Sequence, residues 1–327
     1  MLENANIDEE VEVSAKAAGT GGSRLGLKKG AKITIRDLLY GLLLCSGNDA
    51  AVALAESVGG SIEGFAEMMN NKAKEMGLEN THFVTPHGLD ADGHYTTAYE
   101  LAVLTDYALQ NDTFKKIVGT KSYTVTISGY PKTLSNTNEL LGYLDGVYGV
   151  KTGFTNGANR CLVTSAKRGD LDIISVVLGA DTKKDRTKDS IKILEYAFEN
   201  YTMYNIGDVI EQNYEEWKNT NKNNFYIDKG ISDDVELTLE DEKHSIIPIK
   251  KSDVENINVN IDCNFEYISP LEINTDIGTL EVKIGTETLY SLSIRNSNRI
   301  EKKGIYDYFL QLVKDYSKCF EYFKIDD

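Results

Sequence analysis

The spacing of apolar residues changes once along the chain, and that change limits the fold more than any other feature. Between residues 34 and 110, apolar side chains recur every three or four positions, as on the buried face of a helix. After Lys121 they alternate with polar side chains, which is typical of strands with one buried face. Helices followed by a group of strands predict an α+β fold.

Local signals mark the ends of several elements. Thr34, Ser61 and Thr97 have the side chains and positions of helix N-caps, and Thr97 with Glu100 forms the pattern of a capping box. A glycine-containing turn at 168–170 predicts an antiparallel hairpin. The predicted helices are 34–45, 50–58, 61–77, 97–110 and 185–201, and the predicted strands are 122–127, 146–152, 160–166 and 171–178.

Length and charge indicate more than one module. A chain of 327 residues fits two domains, and its second part is the more acidic. From Ile206 onward short alternating runs, such as 279–284 and 289–294, predict a small antiparallel β domain without helices. The predicted domains are 1–205, 206–300 and a tail, 301–327.

Composition argues against several classes of function. The net charge of −16 disfavours nucleic acid as a partner. No run of 18 apolar residues predicts a spanning helix, and residues 1–10 lack the features of a signal peptide. The histidines His82, His87 and His94 have the wrong spacing for a zinc site on a helix, so we predict neither a metal nor a cofactor.

Two short motifs carry the chemistry that we predict for this chain. Ser46-Gly47-Asn48 lies between two predicted helices, and Lys151-Thr152-Gly153 lies at the end of a predicted strand. A hydroxyl beside an amine can relay protons, and a cationic strand edge can hold a carboxylate. In this order the motifs match the Ser-x-Asn and Lys-Thr-Gly motifs of the serine acyl-transferases that bind penicillin.

Longer segments extend this match. Residues 19–30, 38–51, 86–99 and 147–155 resemble D-alanyl-D-alanine carboxypeptidases of the low-molecular-mass penicillin-binding-protein type. The resemblance implies a β-lactamase/transpeptidase-like domain followed by a small antiparallel β domain. It also implies a serine peptidase that trims the terminal D-alanine from peptidoglycan stem peptides through an acyl-enzyme, is inhibited by β-lactams and acts in the cell envelope, outside the cytoplasmic membrane.

The resemblance assigns catalytic roles to three residues. Ser46 and Lys151 would form a proton relay, and Asn48 would contact the substrate amide. Cys45 is the alternative nucleophile, but its place at the end of an apolar helix favours a buried thiol.

Four further residues would bind the substrate. Thr152 and Arg186 would hold the terminal carboxylate, and the N–H of Phe154 would form half of the oxyanion hole. Gly153 would let the substrate backbone lie against the strand. For Arg186, a solvent-facing position at the start of a helix is an equally acceptable interpretation.

The printed chain lacks the motif that supplies the nucleophile in this family. No serine is followed three positions later by lysine, the spacing that would place both side chains on one face of a helix. Because that motif lies shortly upstream of the segment resembled by residues 2–6, we expect the chain to begin just after it. As printed it would lack the first strands and the nucleophile helix, and it would be inactive. Export would need a signal peptide upstream of the same point. The alternative is that the protein is naturally this short.

Two rival functions remain. A non-catalytic protein that binds or scaffolds cell-wall peptides would keep Lys151, Thr152 and Arg186 without acyl transfer. A β-lactamase is disfavoured by the β-rich second module.

The tail has two interpretations. Apolar residues recur in it at helical spacing, and they are Phe309, Leu312, Val313, Tyr316, Phe320 and Phe323. With its lysines the tail could lie in a membrane interface, as the tails of the family do, or it could pack on the β module.

Overall fold

The chain forms two units, each with its own apolar core. The computed structural model describes residues 1–240 and 246–322, and side chains as far as residue 317. The units are Met1–Glu199 and Asn200–Asp327. The predicted boundary after residue 205 falls at the end of a strand, Tyr201–Asn205, which pairs with Ile246–Lys250 and therefore belongs to the second unit.

The first unit contains helices and short sheets. Its helices are α1 (Ala15–Gly19), α2 (Ile35–Cys45), α3 (Asn48–Gly59), α4 (Ile62–Glu75), α5 (Ala98–Leu109), α6 (Asp112–Val118) and α7 (Lys183–Asn200). Its strands are β1 (Glu10–Glu12), β2 (Lys32–Thr34), β3 (Ser122–Ile127), β4 (Tyr130–Ser135), β5 (Val147–Thr155), β6 (Asn159–Arg168) and β7 (Leu171–Ala180). The elements α1, α6, β1, β2 and β4 were not predicted.

Helix α2 forms where the sequence predicts it. The side chain of Thr34 accepts a hydrogen bond from the N–H of Asp37 at 3.1 Å, which caps the first turn. The apolar stripe of α2 is buried, with Leu38 and Leu44 at 0% exposure. Burial of two leucines contributes about 3–6 kcal/mol to folding. These contacts fix the end of α2, where the Ser46 motif follows.

The strands β5, β6 and β7 form one antiparallel sheet in that order. Strand β5 is an edge strand and pairs, among the described strands, with β6 alone. Lys151-Thr152-Gly153 lies inside β5 rather than at its end, because the strand continues to Thr155. The other edge of β5 is therefore open to a ligand strand at these residues.

The capping box at Thr97 is only half formed. Thr97 accepts from the N–H of Glu100 at 3.1 Å, as predicted. The carboxylate of Glu100 does not return to Thr97; it accepts from the N–H of Asn80 at 2.8 Å and from the hydroxyl of Thr81. A tertiary contact has replaced the local one, and it orders the loop between α4 and α5.

The second unit contains a helix that the sequence analysis missed. It comprises β8 (Tyr201–Asn205), α8 (Ile206–Asn221), β9 (Tyr226–Asp228), β10 (Leu237–Leu239), β11 (Ile246–Lys250), a 3₁₀ turn (Lys251–Asn256), β12 (Ile257–Cys263), β13 (Glu266–Ile268), β14 (Asp276–Ile284), β15 (Glu287–Asn296) and α9 (Ile305–Tyr322). Ile206, Ile210 and Tyr214 are buried at a spacing of four residues. The prediction of a module without helices is wrong at its first 16 residues.

Strands β10, β15, β14 and β12 form an antiparallel sheet in that order, as predicted. Strands β9 and β13 pair in parallel, which the prediction did not include. Helix α9 presents a row of exposed apolar side chains, with Ile305 at 92% and Leu312 at 71%. The predicted tail residues Phe323 and Lys324 lie outside the described residues. No helix in the described part of the chain combines the length and apolarity needed to cross a bilayer.

Candidate active site

The seven residues selected from the sequence line one cleft in the first unit. The cleft has a volume of about 860 Å³. The predicted residues that line it are Ser46, Asn48, Lys151, Thr152, Gly153, Phe154 and Arg186. Segments that are far apart in the chain therefore meet at a single site.

Ser46 lies at the sharp junction between α2 and α3. Its backbone has a left-handed conformation, with φ 57° and ψ 40°, which ends α2 and turns the chain directly into α3. The N–H of Gly47 donates to the carbonyl of Gly41 at 3.1 Å. The hydroxyl of Ser46 lies at the cleft, where it accepts a hydrogen bond from the Nζ of Lys151.

Lys151 is a cation with no carboxylate within ion-pair distance in the described residues. Its Nζ donates to Ser46 Oγ and to the carbonyl oxygen of Thr152, the latter at 2.8 Å. Desolvation at the cleft lowers the pKa of Lys151 from 10.5 to about 8. The amine can therefore gain and lose a proton close to neutral pH, which a surface lysine does not.

Asn48 is buried, with 6% of its surface exposed. Its Nδ2 donates to the carbonyl of Gly21 at 2.8 Å, so the amide holds a loop of the chain itself. A Cβ at Gly22 would lie 2.5 Å from this Nδ2, and Gly22 has φ +81°. The loop thus needs glycine both for its backbone conformation and for the close approach of Asn48.

Asp49 is a positioning residue that the sequence analysis missed. Its carboxylate is completely buried and accepts from the N–H groups of Leu25, Gly26 and Leu27 at 2.7, 2.7 and 2.9 Å. These bonds fasten the loop that forms one wall of the cleft to the start of α3. An acidic residue directly before the apolar run 50–55 of α3 was the available signal.

Strand β5 presents its side chains along the cleft. The hydroxyls of Thr152 and Thr137 are 2.7 Å apart. Gly153 is exposed, and a Cβ there would meet Cys161 only at an ordinary 3.5 Å. The ring of Phe154 is half exposed, with the guanidinium of Arg160 over it at 3.7 Å from the centroid. This edge offers hydroxyl, backbone and cationic groups side by side.

Arg186 is buried, with 3% of its surface exposed. The alternative interpretation, a solvent-facing position, is therefore wrong. Its Nη2 donates to Glu139 Oε1 at 3.0 Å and to the hydroxyl of Thr187 at 3.2 Å. Its Nε is buried without a hydrogen-bond partner in the described residues. The guanidinium is thus held in place through Nη2, while its Nε–H donor is unused.

Glu139 was not selected from the sequence, yet it is the carboxylate nearest to this arginine. It also binds Lys183 and the hydroxyl of Thr187. Burial acts to raise the pKa of Glu139, but these hydrogen bonds and the positive charges outweigh it and hold the pKa below its ordinary value. Its position in a polar run, 135–139, directly after β4 was a weak signal.

The histidines do not form a metal site. The Nδ1 of His82 lies 2.7 Å from the carbonyl of Gly93, and the Nδ1 of His94 accepts from the N–H of Val84 at 3.1 Å. These bonds order the loop. No cluster of three or more His, Cys, Asp or Glu side chains suited to a metal ion occurs within 1–240 and 246–317.

The chain is similar to proteins of one known family. Residues 2–182 match peptidase family S11, the D-alanyl-D-alanine carboxypeptidases. D-alanyl-D-alanine carboxypeptidase DacF of Bacillus subtilis is 34% identical over 313 residues, which are 95% of this chain and 78% of that protein.

Two solved structures are similar over most of their length. The D-alanyl-D-alanine carboxypeptidase DacD from Francisella tularensis has a TM-score of 0.72 at 26% identity, over 91% of this chain and 82% of that one. Penicillin binding protein 5 from Haemophilus influenzae has a TM-score of 0.71 at 26% identity, over 92% and 85%. The predicted fold is confirmed: a transpeptidase-like domain precedes a β-rich C-terminal domain. The chain belongs to the D-alanyl-D-alanine carboxypeptidases, a family of serine peptidases.

Proposed function

We propose that this chain recognises peptidoglycan stem peptides that end in D-Ala-D-Ala and serves the carboxypeptidase reaction that removes the terminal D-alanine, in the cell envelope outside the cytoplasmic membrane. The observation that carries the proposal is the contact between Lys151 and Ser46 in the same cleft as the open edge of β5. β-Lactams would be inhibitors because they occupy the same cleft.

The contacts of Ser46 suit a relay better than a nucleophile. The reaction breaks the amide bond before the terminal D-alanine, transfers the acyl group to a serine oxygen and requires a proton on the leaving nitrogen. Ser46 accepts a hydrogen bond from the amine of Lys151, which is mostly protonated at neutral pH. The hydroxyl proton of Ser46 is then free to pass to the leaving nitrogen, and Lys151 replaces it.

The remaining residues of the cleft would bind substrate. Thr152 and Arg186 offer a hydroxyl and a guanidinium to the terminal carboxylate, and arginine is well suited to that group. Gly153 and Phe154 would place their backbone beside the scissile carbonyl, the latter as an oxyanion donor. Asn48 would reach the substrate amide through its Oδ1 or its second Nδ2–H, because one Nδ2–H is bound to the carbonyl of Gly21.

Binding of short peptides tests this proposal. The purified chain should bind a fluorescent peptide that ends in D-Ala-D-Ala and reject the L-Ala-L-Ala peptide. Loss of a hydroxyl that binds a carboxylate costs about 1.5–3 kcal/mol, so Thr152→Val should weaken binding by about tenfold or more. Thr124→Val is the matched control, since that threonine also pairs with a threonine hydroxyl, of Thr133 at 2.9 Å, away from the cleft. Equal binding of both peptides would contradict the proposal.

A fluorescent penicillin tests the nucleophile. We expect no covalent adduct with the printed chain, because it contains no Ser-x-x-Lys motif. Labelling of Ser46, located by mass spectrometry, would contradict this assignment and make Ser46 the nucleophile.

The second candidate function is a non-catalytic protein that binds cell-wall peptides through Lys151, Thr152 and Arg186, which line the same cleft. Genomic DNA directly upstream of Met1 distinguishes the two. In-frame codons for Ser-x-x-Lys support the enzyme, and a stop codon supports the binding protein.

We further propose that α9 lies in a membrane interface. Its exposed apolar side chains include Ile305, Phe309 and Leu312. An amphipathic helix of this kind binds by burying such a face at the lipid boundary. The chain should float with liposomes, and a chain that ends at residue 303 should not; equal flotation would contradict a role for α9.

A further inference from the structure

A lysine-rich groove adjoins the cleft along helix α7. Its volume is about 750 Å³. The residues that line it are Glu139, Tyr143, Lys183, Lys184, Thr187, Lys188, Ile191 and Lys192. Glu139 and Lys183 also line the cleft, so the two depressions share a wall.

The side chains that line the groove include four lysines and one carboxylate. Lys184, Lys188 and Lys192 recur every four residues, so they lie on one face of α7. None of the three has a carboxylate within ion-pair distance in the described part of the chain, and all are exposed. Asp185 and Asp189 belong to the same helix but do not line the groove. This is a local concentration of cations on a protein of net charge −16.

Glu139 is the carboxylate that lines the groove, and its charge is already balanced. Lys183, Arg186 and Thr187 all bind it. An anion that approaches α7 therefore meets the three unpaired ammonium groups first. Lys183 and Arg186 lie at the N-terminal end of this 18-residue helix, where the helix dipole adds positive potential.

The order of these cations along α7 leads toward the cleft. Lys188 and Lys192 line only the groove, whereas Lys183 and Arg186 line the cleft. Six helical residues separate Arg186 from Lys192, which corresponds to about 9 Å along the axis. The last cation of the series, Arg186, is the one with an unused buried Nε–H.

We propose that this groove is an encounter site for the carboxylate of anionic peptides, which the lysines attract and pass to Arg186. The inference rests on the proposed function, because it needs a carboxylate-ended substrate in the cleft. A protein of net charge −16 repels such a peptide at long range, and a local positive field overcomes this repulsion along one path. Tyr143 and Ile191 supply apolar surface for the peptide while its carboxylate exchanges between ammonium groups.

Association kinetics test the encounter site. The triple variant Lys184→Gln, Lys188→Gln, Lys192→Gln and the control Lys28→Gln, Lys29→Gln, Lys32→Gln lose the same charge. The control lysines are exposed and line neither depression. Stopped-flow fluorescence measures the association and dissociation rates of a peptide that ends in D-Ala-D-Ala. We expect the groove variant to associate about fivefold more slowly at low salt, with an unchanged dissociation rate and little difference at high salt.

Three results would contradict the encounter site. Equal association rates in the groove variant, the control and the unmodified chain overturn the encounter site and leave the proposed function intact. An equal slowing in both variants also overturns it, since net charge alone would then explain the effect. A failure of all three proteins to bind the peptide overturns the proposed function, and the encounter site with it.

Discussion

Lys151 and Arg186 line the same cleft, but their charges are held in different ways. Lys151 contacts a hydroxyl and a carbonyl, has no carboxylate partner among the described residues, and has a pKa lowered to about 8 by desolvation. Arg186 is more deeply buried and is bonded to the carboxylate of Glu139. Burial without a counter-ion produces a group that can exchange protons, whereas burial with one produces a fixed charge that can hold an anion.

The supports of the two cations differ as well. On the Ser46 side the wall is a backbone loop, fixed by the carboxylate of Asp49. On the Arg186 side the support consists of side chains alone, Glu139, Lys183 and Thr187. Substitutions on the two sides should therefore differ in size and in their dependence on pH.

The largest effect should come from Asp49→Ala. Three backbone N–H groups would lose their acceptor, two of them on buried residues, and each unsatisfied donor costs about 1–3 kcal/mol. We expect the free energy of unfolding in urea to fall by about 3–5 kcal/mol. Asp112→Ala is the control, because it is also an acidic residue in a first helical turn but is exposed; it should cost about 0.5 kcal/mol. Similar losses in both variants would contradict a special role for Asp49.

A smaller loss should follow Glu139→Gln. Arg186 would stay charged and buried without its counter-ion, and we expect the unfolding free energy to fall by about 2–3 kcal/mol at pH 7. The pKa of Glu139 lies below its ordinary 4.5 in the folded chain, so this stabilisation is present above that pH. The difference from the unmodified chain should shrink as the pH falls below 4.5.

Glu195→Gln is the matched control for that change. Glu195 forms a two-bond contact with Arg168 at 2.8 and 2.7 Å, but both side chains are considerably more exposed than Arg186. We expect Glu195→Gln to lower the free energy of unfolding by less than about 1 kcal/mol. Equal destabilisation of Glu139→Gln and Glu195→Gln would contradict this explanation, because the burial of Arg186 would then add nothing to the stabilising effect of Glu139.

The smallest change, and one of opposite sign, should follow Lys151→Met. Desolvation of the ammonium disfavours the folded chain at neutral pH, so we expect this variant to be more stable by about 1–2 kcal/mol at pH 7. The folded pKa of about 8 lies below the ordinary 10.5, so the unfolded chain holds more protons between these values. The unmodified chain should then gain stability as the pH rises through this window, and the difference should shrink.

Urea unfolding at neutral and alkaline pH measures this difference. Lys167→Met serves as the control, since Lys167 lies on the neighbouring strand and is exposed. For Lys167→Met we expect the difference in unfolding free energy from the unmodified chain to be the same at both pH values. If the difference in unfolding free energy between Lys151→Met and the unmodified chain did not change with pH, the ammonium group of Lys151 would not be desolvated.

Much of the first unit could be predicted because its signals are local. The caps at Thr34, Ser61 and Thr97 and the hairpin of β6 and β7 involve residues close in sequence, and all are confirmed. Helix α8 was missed because its stripe of Ile206, Ile210 and Tyr214 stands among polar residues and directly follows a strand.

Part of the site could not be predicted from local sequence patterns either. Glu139 and Asp49 were not selected, because nothing in their immediate surroundings indicates an arginine 47 residues away or a backbone loop 22–24 residues before. Helix propensity and strand alternation describe neighbours along the chain, and they carry no information on such pairs.

The amino-acid sequence by itself determined most of the longer helices and strands of the first unit, and it identified the two motifs through their residue types and order. Only the tertiary structure decided that Lys151 would meet a hydroxyl 105 residues away and remain without a carboxylate, while Arg186 would receive one. The reason is physical: propensity depends on backbone conformation and near neighbours, whereas the protonation of a buried cation depends on which distant groups folding packs against it.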